Sequence, residues 1–181
     1  PFPVKKGLLR MTKTTIVPGR NGREASVRQR YSAAATAKED ALCCPVTYRR
    51  EYLDVIPEEI LERDYGCGDP TPYVREGETV LDLGAGGGKV CYILSQVVGP
   101  EGRVIGVDCN QEMMSLARGH REEVAKRIGY ANVEFRYGLI QDLALDLEQW
   151  AEQTGGLQIS GPQDWIRLRQ IEQQLRLERG R

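Results

Sequence analysis

The sequence has no apolar run long enough to span a bilayer, which excludes a membrane-crossing helix. It has no excess of charge of either sign. Its 25 basic residues stand against 26 acidic ones, a net charge of −1, so no overall field draws nucleic acid or an acidic membrane. Nothing in it resembles a secretory signal. Its five cysteines, an odd number that includes the vicinal pair Cys43-Cys44, point to a reduced, cytoplasmic setting with thiols kept for packing or chemistry. Phenylalanine is scarce and tyrosine common, which decides little.

What is present suits one domain, because 181 residues with 40% hydrophobic side chains can supply a core. The charge is unevenly spread. Lys5, Lys6, Arg10, Lys13, Arg20, Arg23, Arg28 and Arg30 face the single acid Glu24, so residues 1–26 read as a basic, solvated, flexible leader. Arg-rich, acid-poor starts also serve as organelle transit segments.

The chain is organised around Thr79-Val-Leu-Asp-Leu-Gly-Ala-Gly-Gly-Gly-Lys-Val90. An apolar run of Val80, Leu81 and Leu83, carrying Asp82, reads as a short buried strand. Gly84, Gly86, Gly87 and Gly88 then form the turn that leaves the sheet, and helical spacing begins at Lys89. Strand, glycine turn and helix N-terminus together make a site for an anionic or dipolar small molecule, since backbone N–H groups point outward and no Cβ keeps the ligand away. The strict dinucleotide fingerprint G-x-G-x-x-G fails here. Counted from Gly84 and Gly86, its last glycine position is Lys89.

Arg103–Val107 reads as the next strand and ends on Asp108, an acid placed to accept both hydroxyls of a ribose, as in nucleotide-binding βαβ units. Asn110 caps an expected helix Gln111–Ile128 that Gly129 stops. Val133, Phe135 and Tyr137 alternate on a third strand, and the segment from Gly138 to Asp142 leaves its end, where ligands of such sheets lie. Upstream, Val27–Ala37 is alanine-rich and helical in spacing, and Pro57 with Glu58 and Glu59 opens a helix that runs to Arg63. These upstream elements are expected to form a helical cap over the sheet. From Ala144 the text turns polar and helical, and no further buried strand is expected before Arg181. Trp165, Leu168, Ile171 and Leu175 form a narrow stripe on that tail, which reads as an amphipathic helix lying on the domain, on a partner or on a second copy. Its acids dilute its arginines, so nucleic acid is a weak reading.

The run Asp82-x-Gly84-x-Gly86-x-Gly88 resembles the first motif of the class I S-adenosylmethionine-dependent methyltransferases. That resemblance implies an α/β fold, a Rossmann-like doubly wound parallel sheet with S-adenosylmethionine as cofactor. It implies that Gly84, Ala85, Gly86 and Gly88 wrap the methionine end and that Asp82 holds the amino group. It further implies that Asp108 and Cys109 lie beside the ribose and that Ile140, Gln141 or Asp142 lies against the adenine. Cys43-Cys44, then Tyr65-Gly-Cys67-Gly68, with Val27-Arg-Gln-Arg-Tyr31 upstream, narrows the likeness to the arsenite methyltransferases from about Val27 to Asp142. Tyr31 is then a cofactor-side residue, Cys67 a substrate thiol, and Cys44 or Cys43 its relay or redox partner.

The implied substrate is a small molecule, trivalent arsenic as a thiol adduct, because soft centres select cysteine sulfur. A soft nucleophile needs no strong general base, in keeping with a chain whose one histidine is His120. The family continues into a fourth strand and beyond, so the sheet is expected to be incomplete after its third strand. Residues 27–143 then form the N-terminal half of the methyltransferase domain and 144–181 a polar tail. Three alternatives stand beside this reading: a cofactor-binding or interaction module without turnover, a nicotinamide-dependent dehydrogenase, and an RNA methyltransferase that uses the basic leader.

Overall fold

The structure is a computed structural model that describes residues 32, 47–63 and 68–179. The leader, Tyr31, Cys43, Cys44 and Cys67 lie outside the described residues, and of the alanine-rich segment only Ser32, which is helical, lies within them.

Two short helices, α1 (Arg50–Leu53) and α2 (Glu58–Glu62), precede the sheet. Pro57 stands at the N-cap of α2, with Glu58 and Glu59 in the first turn where the helix dipole favours acids. After a 3₁₀ turn at Thr71–Tyr73 come β1 (Thr79–Leu83), α3 (Lys89–Val98) and β2 (Arg103–Asp108). Next are α4 (Gln111–Gly119), α5 (Arg121–Ile128), β3 (Val133–Leu139), β4 (Asp142–Asp146), α6 (Leu147–Thr154) and α7 (Pro162–Arg179).

The strands lie in the order β1-β2-β3-β4. The first three are parallel, with Asp82 opposite Gly106 and Asp108 opposite Tyr137, so the carboxyl ends of β1 and β2 lie side by side. Helices α3 and α4 share one face of this sheet. Tyr92 of α3 stacks edge-on against Phe135 of β3 with ring centroids 5.5 Å apart, and its hydroxyl donates to the Ala117 carbonyl of α4 at 2.5 Å. Ile93, Val98, Val104 and Met114 complete this buried layer.

Two expectations are corrected. The single helix Gln111–Ile128 is two helices that meet at His120, whose φ of −98° and ψ of 0° leave the helical region directly after Gly119. Glycine is a weak helix former, and the His120 ring is drawn between Glu59 and Glu123, 2.8 and 3.1 Å away. The second correction concerns the tail. β4 is a fourth strand, antiparallel to β3, with Gly138 opposite Asp146 and Leu145 buried. It straddles the expected boundary at residue 143. Its five residues carry acids at both ends and no β-branched side chain, so the sequence pattern hides it; the open edge of β3 supplies the pairing that propensity does not.

The tail helix α7 packs on this strand. Leu168 and Leu175 are buried, and Arg176 holds Oδ2 of Asp142 at 2.7 Å. Trp165, expected in the buried stripe, is 54% exposed. At the other edge of the sheet, β1 is not the buried strand its apolar run suggested: Leu81 and Leu83 are 48% and 45% exposed, because an edge strand is covered on one face only. No helix among the described residues is long and apolar enough to cross a membrane.

Candidate functional site

The glycine loop is pinned to the strand beside it. The amides of Gly84 and Ala85 both donate to the Val107 carbonyl, at 2.8 and 3.1 Å, and Gly88 donates to Ala85 at 2.9 Å. Gly84, Gly86 and Gly88 have φ of +86°, +52° and +88°, a left-handed region that side chains make costly. The three glycines differ in what they face. Among the described residues, a Cβ on Gly86 would meet nothing within 4 Å, and one on Gly84 would meet only Cδ1 of Ile140 at 3.9 Å. A Cβ on Gly88 would stand 2.7 Å from Cζ of Phe135 and 3.1 Å from Cβ of Ala117. Gly88 thus lets α3 approach the sheet, while Gly84 and Gly86 keep the outer side of the loop open.

Two carboxylates flank the opening. Oδ2 of Asp108 accepts from the Gly86 amide at 3.0 Å, and its Oδ1 accepts from Asn110 N at 2.7 Å. Asn110 caps α4 by accepting from Met113 N at 3.1 Å, and its amide donates to Oγ of Ser32 at 3.0 Å. Ser32 in turn donates to Oε2 of Glu112 at 2.9 Å, which holds Ser32 at the edge of the site. On β1, Oδ2 of Asp82 accepts from the Cys91 thiol at 3.2 Å. Burial pushes the Asp82 carboxyl above its ordinary range, the thiol opposes that shift, and the negative charge of Asp108 adds to it. Burial, first, and the neighbouring Asp82 raise the Cys91 thiol well above its ordinary range, so it stays protonated and donates.

Ile140 is 53% exposed beside Gly84, Gln141 is exposed, and Cys109 is a half-buried free thiol following Asp108. The structure therefore gathers Asp82, Gly84, Ala85, Gly86, Asp108, Cys109 and Ile140 at the carboxyl ends of the strands. Tyr31, Cys43, Cys44 and Cys67, outside the described residues, are not placed by it. Cys91 was expected as a packing or cofactor-side residue, but its bond to Asp82, the place of Ser32 and the Lys89–Tyr48 pair beside the loop were not foreseen. The Lys89 ammonium lies 4.4 Å from the centre of the Tyr48 ring, and the Tyr48 hydroxyl donates to the Gly68 carbonyl at 2.5 Å. Only Asp82 and Cys91, nine residues apart across a loop, had any local cue, namely an acid and a thiol bracketing the glycines. His120, held between Glu59 and Glu123, takes no part.

This cradle fits S-adenosylmethionine. Among the described residues it holds two carboxylates, Asp82 and Asp108, an exposed apolar side chain at Ile140 and open space beside Gly86. Residues 75–153 match the methyltransferase domain family. Residues 75–153 thus carry a methyltransferase domain, of the class I, S-adenosylmethionine-dependent type. This methyltransferase domain is similar to the arsenite methyltransferase of Aquipseudomonas alcaligenes, 39% identical over 126 residues, which cover 66% of this chain and 36% of that protein. It is also similar to the arsenite methyltransferase of Mus musculus, 39% identical over 100 residues, 54% of this chain and 27% of the relative. Among solved structures, the arsenic(III) S-adenosylmethionine methyltransferase of Chlamydomonas reinhardtii is 33% identical. That match covers 64% of this chain and 36% of that one, with a TM-score of 0.48. The matched stretch thus spans about a third of the length of these relatives.

Proposed function

We propose that this methyltransferase domain binds S-adenosylmethionine in the glycine cradle and serves methyl transfer to a soft nucleophile, trivalent arsenic carried as a thiol adduct. The observation that carries the cofactor half is the pairing of Asp82 and Asp108 on either side of a loop open over Gly86. Asp82 would take the ammonium of the amino-acid end, Asp108 the ribose hydroxyls, and Ile140 one side of the adenine. The bound cofactor supplies an electrophilic methyl on a sulfonium. The protein's own task is orientation and exclusion of water.

The substrate half rests on the relatives named above and on the thiols of the sequence. Cys67 would hold the arsenic and Cys44 or Cys43 would relay or exchange it, since thiolates bind soft trivalent centres. Free thiols call for a reducing compartment, which supports a cytoplasmic place; Cys91 and Cys109 are free in the structure.

Calorimetric titration with S-adenosylhomocysteine, with NADH as the comparison, tests the cofactor half. Saturable binding of the first and none of the second is expected, and no binding of S-adenosylhomocysteine would overturn it. Arsenite with glutathione and S-adenosylmethionine, followed by chromatographic arsenic speciation, tests the substrate half. A second reading, a cofactor-binding module without turnover, is favoured by the half-exposed Leu81 and Leu83, which leave one sheet edge uncovered. It predicts binding with no methylated arsenic.

A further inference from the structure

Cys91 lies one turn into α3 and is fully buried, and its thiol reaches across the sheet to Asp82. Room for this contact comes from the strand beside it. Asp82 stands opposite Gly106 in the β1–β2 register, and a Cβ on Gly106 would lie 2.7 Å from the sulfur of Cys91 and 2.9 Å from Cβ of Ala85. Only a glycine there lets the thiol lie against the carboxylate. A half-buried carboxylate is steadied by donors, and among the described residues Cys91 is the donor Asp82 has. Among the described residues, the charged and titratable groups facing Asp82 are the Cys91 thiol from α3 and the Asp108 carboxylate from the end of β2. Lys89, also on α3, places its ammonium over the Tyr48 ring.

We propose that Cys91 is a positioning residue for the cofactor: by donating to Oδ2 of Asp82, its thiol fixes that carboxylate and leaves Oδ1 for the cofactor's ammonium. The inference rests on the cofactor reading above and adds to it a role for a cysteine that the arsenic chemistry does not use. A thiol suits this place because a buried thiol stays neutral. It donates without adding the charge that a lysine or arginine would put in competition with the incoming ammonium. Loss of the donor leaves Asp82 easier to protonate. A protonated Asp82 does not attract an ammonium, so affinity for the amino-acid end falls as pH drops through the Asp82 titration.

The test uses the whole chain as Cys91→Ala, which removes the donor, and Cys91→Ser, which restores one of similar size, with circular dichroism to check folding. The Asp82 carboxyl is titrated by carbon NMR from about pH 4 to 8 without ligand, its signal assigned by loss in Asp82→Asn. The same variants are titrated with S-adenosylhomocysteine over that range and with methylthioadenosine, which lacks the amino-acid end. In Cys91→Ala the Asp82 titration should move to higher pH. The acid limb of S-adenosylhomocysteine binding should move with it, costing about tenfold in affinity on the acid side for each unit of movement. Cys91→Ser should return both toward the wild type, and methylthioadenosine should respond in none of them.

An Asp82 titration unchanged in Cys91→Ala would overturn the inference whether or not any ligand binds. A moved titration with an unmoved S-adenosylhomocysteine curve would overturn the positioning role, because the carboxylate would then not hold the ammonium. Failure of the wild type to bind S-adenosylhomocysteine would instead overturn the cofactor reading, and the positioning role with it. The ligand-free NMR distinguishes that failure from loss of the Cys91–Asp82 contact.

Discussion

The amide of Gly86 donates to Oδ2 of Asp108 at 3.0 Å, a bond between residues 22 positions apart. It ties the open side of the glycine loop to the carboxylate at the end of the neighbouring strand, so the two halves of the cradle are held as one unit. Oδ1 of the same carboxylate accepts from Asn110 N at 2.7 Å, and Asn110 caps α4. Each oxygen keeps a second lone pair for a ligand hydroxyl.

Asp108→Ala should therefore weaken S-adenosylhomocysteine by about 1–3 kcal/mol, the range for losing charge-assisted hydrogen bonds. Calorimetry reads the effect directly. Unchanged affinity would place the ribose elsewhere.

The glycines of the loop should separate binding from stability. Gly86→Val adds a side chain to open space at φ +52°, so it should cost roughly 1–2 kcal/mol of backbone strain while abolishing cofactor binding. Gly88→Ala drives a methyl group to 2.7 Å from Phe135 at φ +88° and should cost roughly 2–4 kcal/mol of stability. Urea unfolding of both variants, beside calorimetry of Gly86→Val, checks the contrast.

Glu134 on β3 sits between Arg136, 2.5 Å away, and Arg103. The Arg136 hydrogen bond first, with help from Arg103, holds its carboxyl down at about 2 against an ordinary 4.5. A depressed folded-state pKa means stability that is present above about pH 4.5 and lost as pH falls toward 2. The pairs are a third or more exposed, so the effect is no more than about 1 kcal/mol after solvent screening. Urea midpoints of the wild type should fall across that window, and Glu134→Gln should remove that part of the slope.

Glu172 on α7 is 1% exposed, and among the described residues its Oε1 has no hydrogen-bond partner. Its Oε2 takes Arg169 at 3.0 Å and, more distantly, Arg176 at 3.7 Å. Removing it strands neither arginine, because Arg176 keeps Asp142 and Arg169 is exposed. Glu172→Met should thus raise stability by about 1 kcal/mol, as exchanging a poorly paired buried ion for an apolar side chain does. A lower urea midpoint in this variant would refute that account.

Much of the frame was legible in the chain itself. Val80 to Leu83, the glycines, and Val104 and Val107 before Asp108 carry their structure in local chemistry: apolar strands, positive-φ turns and a capping Asn110. β4 was not legible. A five-residue strand with acids at both ends exists because the edge of β3 is there to pair with, and no local preference announces an edge. The break at His120 has the same origin, since the Glu59 that draws the ring lies 61 residues away.

The sequence by itself thus determined the alternation of the first strands and helices and the acids that close two of the strands, because these follow from periodicity and backbone freedom within short stretches, while the parallel α/β sheet was implied by the resemblance of its glycine motif. Only the tertiary structure decided which glycines face outward, which thiol meets Asp82, and where the tail helix lies. Those depend on which atoms from distant parts of the chain occupy the same few ångströms. Gly86 and Gly88 are the same residue type two positions apart, yet one borders open space and the other Phe135.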